Sequence, residues 1–371
     1  MRLLAITNDF PPTVGGIENY EYSLISRWDP DQVTVLTRWV PGCEDFDKGL
    51  GFDVRRVPVG TLLPTPSLLR LARSVIASDS IDVIHFPSSL PLGLMGPRLL
   101  RSTDTPYCIS VHGGEFMLPR SIPGLKRALA SVIEDACVVF PESSFAESLV
   151  DGFVEVGPPL ERVTCGVDVN AFKKDSAARA ELGFDGPTIL SVSRLVARKG
   201  PATLIKAMPE VLLHDPTVEL VIVGGGPDRK RLEKLSRSLG IESKVRFTGP
   251  MQWDEVARYY AGADVFAMPT RERFAGIETE GLPLVFVEAA ASSLPLVGGI
   301  AGGVSDAVRE GETGFLVDGR VPRQTAEVLI ELIEDEDLRR RMGTAARKMA
   351  ELEFTWEIQF ARFQSAIEKY C

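Results

Sequence analysis

The segment TILSVSRLVARKG, residues 188–200, combines the two features that decide the fold. It begins as a short apolar run and continues as a polar loop with three cations and a glycine. A strand that is apolar at successive rather than alternate positions is typical of a parallel sheet covered on both faces. Ligands of such sheets bind beyond the carboxyl ends of the strands. The loop at 193–200 is therefore a candidate binding segment.

Runs of the same kind recur along the chain, separated by stretches with helical spacing of apolar residues. In the first half they are RLLAITN (2–8), QVTVLT (32–37), VRRVPV (54–59), DVIHF (82–86), YCISVH (107–112) and ACVVFP (136–141). In the second half, TILSVSRL (188–195) is followed by VELVIVGG (218–225), KVRFTG (244–249), ADVFAMP (263–269) and PLVGG (295–299). Two such series predict an α/β protein with two doubly wound, Rossmann-like domains that face an interdomain cleft. The break between them falls near 166–187.

Composition and charge narrow the class of protein. The 371 residues carry a formal net charge of −10, which argues against non-specific nucleic-acid binding. The apolar start MRLLAI is too short for a signal peptide, and Glu288 interrupts the apolar stretch 284–304, which therefore fails as a membrane span. The 5 cysteines form no C-x-x-C pair, so we expect reduced thiols and a cytoplasmic protein.

The first candidate motif is NDFPPTVGGIENY (8–20), which follows the first strand. Gly15 and Gly16 would let the backbone approach a ligand closely, and the helix after them would offer free amides to a phosphate or a sugar hydroxyl. An ordinary strand-to-helix turn is the alternative. Asp9, at the same strand end, could contact an acceptor hydroxyl or cap the turn.

The second candidate is SVHGGE (110–115), in which His112 ends a strand. An imidazole at this place could hydrogen-bond a sugar hydroxyl or share a developing charge. A structural histidine with satisfied hydrogen bonds is the alternative. His85 ends the preceding strand in the same way, and we expect it to line the cleft without a catalytic role.

Arg194 and Lys199 form the third candidate, in SVSRLVARKG (191–200). Two cations at the mouth of a doubly wound sheet suit a diphosphate. Negative charge grows on a nucleotide diphosphate as its bond to the sugar breaks, and fixed cations stabilise that charge. The alternative is a solvated basic turn, and we assign the intervening Arg198 to such a surface position.

The fourth candidate is ETEGLPLVFVEAAASSLP (278–295), with Glu280 and Glu288 separated by seven residues. A helix is predicted through LVFVEAAA, and the amides of Leu284 and Val285 near its start would face a phosphate. A carboxylate near a helix start could accept two ribose hydroxyls. Two glutamates at this distance also occur by chance.

Two weaker signals are discounted. The run VGGGPDRKRLE (223–233) lacks the spacing of a dinucleotide fingerprint and is predicted to be a tight turn at the cleft edge. The D-x-D pattern occurs at 29–31, 45–47 and 335–337, in polar surroundings and not after apolar strands. We attribute these matches to chance and predict no metal.

Together these motifs resemble family 4 of the retaining glycosyltransferases over nearly the whole chain. The family's E-x7-E signature appears as Glu280 and Glu288, and its S-R-L-x-x-x-K-G motif as residues 193–200. The variants NDFPP-x-x-GGIE, H-G-x-E and E-G-L-x-x-V-F-x-E-A are similar to one branch, the actinobacterial phosphatidylinositol mannosyltransferases that add the second mannose.

The resemblance implies a GT-B fold and a division of labour between two domains. An acceptor-binding domain is implied at 1–168, joined by a crossover helix at 356–371, and a nucleotide-sugar-binding domain at 180–355. It implies retaining transfer of a hexose, mannose from GDP-mannose, to a hydroxyl of a lipid-linked or small-molecule acceptor.

The resemblance also implies roles for single residues. Gly16, Arg194 and Lys199 would contact the donor diphosphate, and Glu288 would bind the ribose. Pro283 stands where most relatives have glycine, and since proline has no N–H, a phosphate contact is lost there.

The reacting sugar would lie near two further groups. Glu280 would stabilise and orient it at its hydroxyls, and His112 would lie on the side of its C6. With Arg194 and Lys199 these are the expected catalytic residues, and Asp9 is the expected acceptor contact.

Two segments bear on the acceptor. Residues 61–76 and 116–130 place leucine, phenylalanine and methionine beside basic residues, namely Arg70, Arg73, Arg120, Lys126 and Arg127. Such a surface could rest on an anionic membrane at the inner face of the plasma membrane. Two amphipathic helices packed on the domain core are the alternative.

Three other functions remain as hypotheses. The first is a UDP-sugar-dependent transferase acting on a soluble metabolite or natural product. A hydrolysing sugar-nucleotide epimerase on the same fold is the second, and Arg194 with Lys199 argues against it. The third, a non-enzymatic extracellular sugar-binding protein, would need an export signal.

Overall fold

The computed structural model describes residues 1–13, 15–117, 119, 122–274, 276 and 278–371, with Asp254 described by its backbone alone. These residues form two compact units. Unit 1 comprises Met1–Cys165 and Trp356–Cys371, and unit 2 comprises Gly166–Thr355. Arg120, one of the basic residues noted in the sequence, lies outside the described residues.

Unit 1 is built on a parallel sheet. Its strands are β1 (Leu3–Ile6), β2 (Val33–Arg38), β3 (Asp53–Val57), β4 (Val83–Phe86), β5 (Tyr107–Val111) and β6 (Val138–Pro141). They lie in the order β3-β2-β1-β4-β5-β6. Every residue of β1, β4, β5 and β6 is buried, as cover on both faces requires, while the edge strand β3 has no buried residue.

Helices cover this sheet. They are α1 (Gly16–Ile25), α2 (Cys43–Asp47), α3 (Pro66–Asp79), α4 (Gly96–Thr103), α5 (Gly114–Met117), α6 (Pro123–Glu134) and α7 (Ser144–Asp151). The start of α3 follows from local sequence, because the Thr65 hydroxyl accepts from the Leu68 amide and Pro66 occupies the first turn. Leu68, Ala72 and Val75 recur at helical spacing and are buried.

Unit 2 repeats the plan with a second parallel sheet. Its strands are β7 (Thr188–Val192), β8 (Glu219–Val223), β9 (Val245–Gly249), β10 (Val265–Met268), β11 (Leu296–Gly299) and β12 (Gly314–Val317), in the order β12-β11-β10-β7-β8-β9. Its helices are α8 (Ser176–Glu181), α9 (Pro201–His214), α10 (Arg229–Ser238), α11 (Trp253–Gly262), α12 (Leu284–Ala291), α13 (Val304–Ala307), α14 (Pro322–Glu334) and α15 (Glu336–Glu353).

The last helix, α16 (Trp356–Tyr370), belongs to unit 1 although it follows unit 2 in sequence. Its buried Phe363 packs on the rings of His85 and Phe140, with centroids 4.9 and 4.8 Å away. The buried Gln359 side chain accepts a hydrogen bond from the Thr164 amide at 2.9 Å. Apolar packing and a buried hydrogen bond therefore hold α16 on unit 1.

Each sheet has one point where the strand order reverses. In unit 1 the chain runs from β1 to β2 and β3, and then returns to the other side of β1 as β4. In unit 2 it runs from β7 to β8 and β9, and then returns beside β7 as β10. Ligands of open parallel sheets bind beyond the carboxyl ends of the two strands at such a point. The loops after β1 and β4, and after β7 and β10, are the segments to inspect.

Every strand predicted from an apolar run is present, so the predicted α/β class with two doubly wound sheets is confirmed. The prediction missed β12, whose run GFLV begins with a glycine and keeps Phe315 and Leu316 only half-buried. It also extended β7 to Leu195, whereas the strand ends at Val192. Leu195 is buried as part of the following loop, whose backbone bonds to Gly225.

The expectation that all cysteines are reduced thiols is wrong. Cys137, just before β6, forms a disulfide with Cys371, and their Cα atoms are 5.3 Å apart. The two residues are 234 positions apart in sequence, and only the return of α16 to unit 1 brings them together. Cys43, Cys108 and Cys165 are free and buried.

Within the described part of the chain, every helix is too short or too polar to cross a bilayer. The expected absence of a spanning segment at 284–304 agrees with this, since that stretch contains α12, β11 and the start of α13.

Candidate active site

A glycine brings together the two loops at the reversal point of unit 2. Gly200 has a φ of 77°, and a Cβ atom there would lie 1.8 Å from the carbonyl oxygen of Pro269. No other residue type fits both constraints without moving the backbone. In addition, the Arg271 amide donates to the carbonyl of Arg198 at 2.8 Å. The segments 193–200 and 269–282 therefore lie side by side.

Two cations from the first loop bind one carboxylate from the second. Lys199 Nζ lies 2.6 Å from Glu280 Oε2, and Arg198 Nε lies 2.8 Å from Glu280 Oε1. Glu280 is only 6 % exposed, and a carboxylate withdrawn from water needs such partners. Because two positive charges face one negative charge, an anionic ligand would meet a net positive surrounding.

Arg198 is not the solvated surface residue that the sequence suggested. Its side chain is 31 % exposed and bonds to Glu280. The residues Ala197–Lys199 form a single 3-10 turn, which lets neighbouring side chains reach the same carboxylate. No local signal shows this, because the partner is 82 positions away.

Arg194 is placed differently from Lys199. It is exposed, and its guanidinium makes no hydrogen bond or ion pair with any residue described in the structure. The loop that carries Arg194 packs against the glycine run after β8. A Cβ atom at Gly224 would lie 2.0 Å from the carbonyl oxygen of Ser193. Within the run 223–233, residues 224–228 form the predicted turn, which lies against the SRL segment and leaves the Arg194 side chain available, while 229–233 belong to α10.

Sequence reasoning missed a group of arginines in the loop after β10. Burial and the neighbouring charges of Arg273, Arg231 and Arg320 lower the pKa of Arg271. Arg273 pairs with Glu278 at 2.9 Å, whereas the Arg271 guanidinium has no partner among the described side chains. The signal that could have revealed it is TRER (270–273), which directly follows an apolar strand.

Glu288 lies on α12 and is 5 % exposed. The buried Tyr260 hydroxyl donates to its Oε2 at 2.9 Å. Burial raises the pKa of Glu288 to about 7, and the neighbouring Tyr260 and Trp253 side chains oppose that rise. The carboxyl group therefore changes charge near neutral pH.

The start of α12 supplies two backbone donors. Phe286 is the first amide of the helix with an internal partner, the Pro283 carbonyl at 3.1 Å. The amides of Leu284 and Val285 donate to no described residue, as expected for a helix N-terminus. Pro283 itself is the N-cap, one position before the helix, and not part of its first turn.

In unit 1, a small open pocket lies at the carboxyl ends of β1 and β4. Its lining includes Asn8 and Asp9 from the first loop and Ser88 and Leu90 from the second. The Asp9 amide bonds to the Thr7 hydroxyl at 2.9 Å, while its carboxylate has no hydrogen bond within the described residues. The structure thus places Asp9 at the reversal point of the sheet, where a ligand would bind.

The glycine loop of unit 1 meets an internal carboxylate. Gly15 is the N-cap of α1, and a Cβ atom there would lie 2.1 Å from Glu18 Oε2. Nothing lies within 4 Å of the corresponding position at Gly16. The Glu18 carboxylate therefore folds over the positive end of α1. Burial and the nearby Asp9 charge raise the pKa of Glu18.

Both ring nitrogens of His112 are engaged within unit 1. Nδ1 lies 2.6 Å from Glu142 Oε2, and Nε2 lies 2.8 Å from the carbonyl oxygen of Pro87. Both partners are acceptors, so both nitrogens donate and the ring is an imidazolium. Although burial opposes the charge, Glu142 and the other acceptors raise the pKa of His112 to about 10. His112 can supply positive charge here, while a direct hydrogen bond to a sugar would require it to release one partner.

The expectation that His85 lines a cleft is wrong. Its side chain is fully buried beneath α16, next to Phe363 and Phe140. Its Nε2 lies 2.9 Å from the Ser110 hydroxyl, and its Nδ1 lies 3.5 Å from the buried Glu21 carboxylate. The sequence placed His85 correctly on a strand, but the covering helix comes from the far end of the chain.

The D-x-D matches serve local structure. Asp29 accepts from the Asp31 amide, Asp47 pairs with Arg56, and Asp335 caps α15. Within the described residues, no group of three or more His, Cys, Asp or Glu side chains could hold a metal ion.

Two family models match consecutive parts of the chain. "Glycosyltransferase Family 4" matches residues 14–171, and "Glycosyl transferases group 1" matches residues 174–349. A GDP-mannose-dependent alpha-(1-6)-phosphatidylinositol monomannoside mannosyltransferase of Mycobacterium tuberculosis is 36 % identical over 97 % of this chain and 96 % of its own. The chain belongs to family 4 of the glycosyltransferases.

Further comparisons agree with this assignment. A relative from Corynebacterium glutamicum is 34 % identical over 99 % of this chain and 98 % of its own. It is a GDP-mannose-dependent monoacylated alpha-(1-6)-phosphatidylinositol monomannoside mannosyltransferase. Among solved structures, HepE of Anabaena in complex with UDP matches with a TM-score of 0.84 at 20 % identity, over 100 % of both chains. Sucrose-phosphate synthase of Thermosynechococcus elongatus matches with a TM-score of 0.81 at 21 % identity, over 100 % of this chain and 99 % of that chain. The expected GT-B fold is confirmed.

Proposed function

We propose that this glycosyltransferase transfers mannose from GDP-mannose to a hydroxyl of a phosphatidylinositol mannoside-like acceptor, with retention of anomeric configuration. The observation that carries the proposal is the full-length similarity to relatives with this activity, at 34–36 % identity. The cations and carboxylates of the two loops in unit 2 support it, because they suit the diphosphate and the sugar of such a donor.

Unit 2 would hold the donor. The free guanidinium of Arg194 and the amides of Leu284 and Val285 would bind the diphosphate. Lys199 would exchange its bond with Glu280 for a phosphate oxygen, since a diphosphate carries more charge than one carboxylate. Glu280, still held by Arg198, would then accept hydrogen bonds from the mannose hydroxyls.

The reaction would break the bond between the anomeric carbon and the diphosphate oxygen. The acceptor oxygen would form its bond to that carbon on the same face, and its proton would pass to the departing diphosphate. Lys199 and Arg194 would stabilise the charge that grows on the leaving group. Both oxygens of Glu280 are engaged by cations, which favours a stabilising role over attack on the sugar.

Unit 1 would supply the acceptor contacts. Asp9, in the pocket at the carboxyl ends of β1 and β4, would accept from the acceptor hydroxyl. Gly15 and Gly16 would contact the donor once the Glu18 carboxylate moves aside. The charged ring of His112 would stabilise negative charge without giving up a proton.

Peripheral contact with an anionic membrane belongs to the proposal. Leu68, Leu69 and Ala72 of α3 are buried in the core, whereas Arg70 and Leu71 are exposed. One face of the helix thus packs on unit 1, as the alternative interpretation expected, and the other stays open to lipid. Co-sedimentation with liposomes that contain or lack anionic lipid measures this contact. Equal recovery with both would contradict it.

The donor is tested by a thermal-shift panel of GDP-, UDP- and ADP-sugars. A ligand at about a hundred times its dissociation constant stabilises a protein by about 3 kcal/mol, so GDP-mannose should raise the melting temperature most. A larger shift with a UDP-sugar would overturn the choice of donor. NMR of the product then reports the linkage, and an inverted one would contradict retention.

A further inference from the structure

Three residues at the carboxyl edge of the unit 1 sheet form a continuous chain of hydrogen bonds. Pro87, His112 and Glu142 each directly follow a strand, and these strands, β4, β5 and β6, lie side by side. His112 is in the middle, with Nδ1 2.6 Å from Glu142 Oε2 and Nε2 2.8 Å from the carbonyl oxygen of Pro87. The Glu142 amide also donates to the Val111 carbonyl at 3.1 Å. The chain therefore ties the loop after β4 to the ends of β5 and β6.

The imidazole ring of His112 is held in one orientation. The ring of Tyr20 packs edge-on against it, with centroids 5.5 Å apart, and the Tyr20 hydroxyl is itself fixed on the Val163 carbonyl at 3.0 Å. The His112 amide donates to Glu115 Oε1 at 2.9 Å. The side chains of His112 and Glu142 are only 10 and 13 % exposed, so water competes little for the bonds between them. Losing a partner at such a place is costly.

The Pro87 end of this chain leads to the pocket of unit 1. Ser88 and Leu90, which follow Pro87 closely, line that pocket together with Asp9. The Ser88 hydroxyl donates to the Leu90 carbonyl at 3.0 Å and so braces the turn after β4. Because the turn is braced, the position of Pro87 determines where this wall of the pocket lies.

We infer that His112 and Glu142 are positioning residues for the acceptor: Glu142 orients the imidazolium, and the imidazolium holds the loop that forms one wall of the acceptor pocket. The inference rests on the proposed function, in which the pocket beside Asp9 receives the acceptor hydroxyl. In the competing interpretation, His112 contributes its charge alone, and its bond to Pro87 has no effect on the acceptor.

The charged groups around His112 keep the bond to Pro87 in place. A carbonyl oxygen only accepts, so Nε2 must carry a hydrogen, and the Glu142 carboxylate favours a second hydrogen on Nδ1. Burial lowers the pKa of His112, but Glu142 and Glu115 outweigh this effect and raise the pKa to about 10. Tyr20 stays protonated, because burial raises its pKa well above the usual value. The ring therefore keeps both hydrogens throughout the neutral range.

The test compares two substitutions of His112 that each keep one half of the chain. His112→Gln places an amide nitrogen near the position of Nε2, so it can still donate to Pro87. His112→Asn is shorter and reaches only toward Glu142. Steady-state kinetics with GDP-mannose and with phosphatidylinositol monomannoside in detergent micelles gives kcat and the two KM values of each variant.

Both variants remove the charge, so kcat should fall to a similar extent in the two. The acceptor KM should rise about tenfold in His112→Asn, the usual effect of losing a hydrogen bond from a charged group, and by less than about threefold in His112→Gln. The KM for GDP-mannose should stay near the wild-type value in both. His214→Gln, at an exposed histidine of unit 2, is the control and should behave as wild type.

Glu142→Ala gives an independent answer, because it leaves His112 in place and removes the partner that orients the ring. It should raise the acceptor KM as His112→Asn does, again with little change in the KM for GDP-mannose. Melting temperatures confirm that each variant is folded.

The outcomes separate this inference from the proposed function. If His112→Gln and His112→Asn have the same acceptor KM, the bond to Pro87 makes no difference and the inference is overturned. A wild-type acceptor KM in Glu142→Ala would overturn it as well. If the wild-type protein transfers no mannose to this acceptor, the proposed function itself fails, and the inference fails with it.

Discussion

At the scale of single residues, the carboxylate of Glu280, shared by Lys199 and Arg198, links the two loops of the proposed donor site. Lys199 is 14 % exposed at its side chain and Arg198 is 31 % exposed, so both ion pairs are partly shielded from water. Removing one cation leaves a buried carboxylate with a single partner, which is more costly than losing a surface pair. A substitution here therefore changes both the charge and the position of Glu280.

Lys199→Ala should lower turnover about a hundredfold, because a fixed charge that stabilises the leaving diphosphate is typically worth that much. Steady-state kinetics with GDP-mannose measures this. Lys230→Ala, at an exposed lysine of α10, is the matched control and should behave as wild type. Turnover of Lys199→Ala within a few-fold of wild type would refute its role.

Glu288 should make stability depend on pH. Its pKa rises from 4.5 to about 7 on folding, so the folded state holds a proton that the unfolded state releases. This stabilising contribution is complete below about pH 4.5 and is lost as the pH rises through about 7, a difference of about 3 kcal/mol. Urea unfolding between pH 4.5 and 8 measures it.

Glu288→Gln should flatten that slope, because the amide does not titrate, and the variant should be more stable than wild type at pH 8. Donor binding should weaken at the same time. Glu336→Gln, at an exposed position of α15, should leave the slope unchanged. An identical slope in wild type and Glu288→Gln would show that this carboxyl group titrates normally.

At the scale of elements, the loops at the reversal point of unit 2 depend on the backbone of Gly200. Gly200→Ala adds a Cβ atom 1.8 Å from the Pro269 carbonyl oxygen at a φ of 77°. The loops must separate, so both stability and donor binding should fall. Gly183→Ala is the matched control, since Gly183 has a φ of 64° but open space around its Cβ position.

The control should cost only about 1–2 kcal/mol, the penalty of a left-handed backbone with a side chain, and should leave GDP binding intact. Urea unfolding and GDP titration of the two variants report the difference. Equal losses of stability, with GDP binding preserved in both, would show that the contact between the loops does not matter.

At the scale of the whole molecule, a disulfide links two segments that are far apart in sequence. Cys137 and Cys371 join the edge strand β6 to the end of α16, across 234 residues of sequence. Within unit 1, the bond adds a covalent tie to the packing of Phe363 and the hydrogen bond of Gln359. A covalent bond, a buried hydrogen bond and apolar packing therefore all hold the last helix on unit 1.

Reduction of this disulfide should lower the free energy of unfolding by about 2–4 kcal/mol, because the unfolded chain gains freedom when the cross-link is lost. Thermal unfolding with and without reductant measures the change. Cys371→Ser should melt like the reduced protein and should not respond to reductant. A wild-type melting temperature that is the same in both conditions would contradict the prediction.

The sequence by itself determined the fold class and the elements on which the candidate donor residues lie. Continuous apolar runs specify buried parallel strands because the pattern is local, and residues just after such runs must lie at the carboxyl edge of a sheet. Lys199 was found in this way, and Glu280 from its place before a predicted helix start; the structure joins them directly at 2.6 Å. The role of each in catalysis remains a prediction.

Only the tertiary structure decided which side chains meet across long separations. It placed Arg198 on Glu280, buried His85 beneath Phe363, and bonded Cys137 to the last residue of the chain. None of these contacts has a local signature, since each depends on how distant elements pack. The sequence specifies where a side chain leaves its strand or helix, and the packing of the unit decides what it meets.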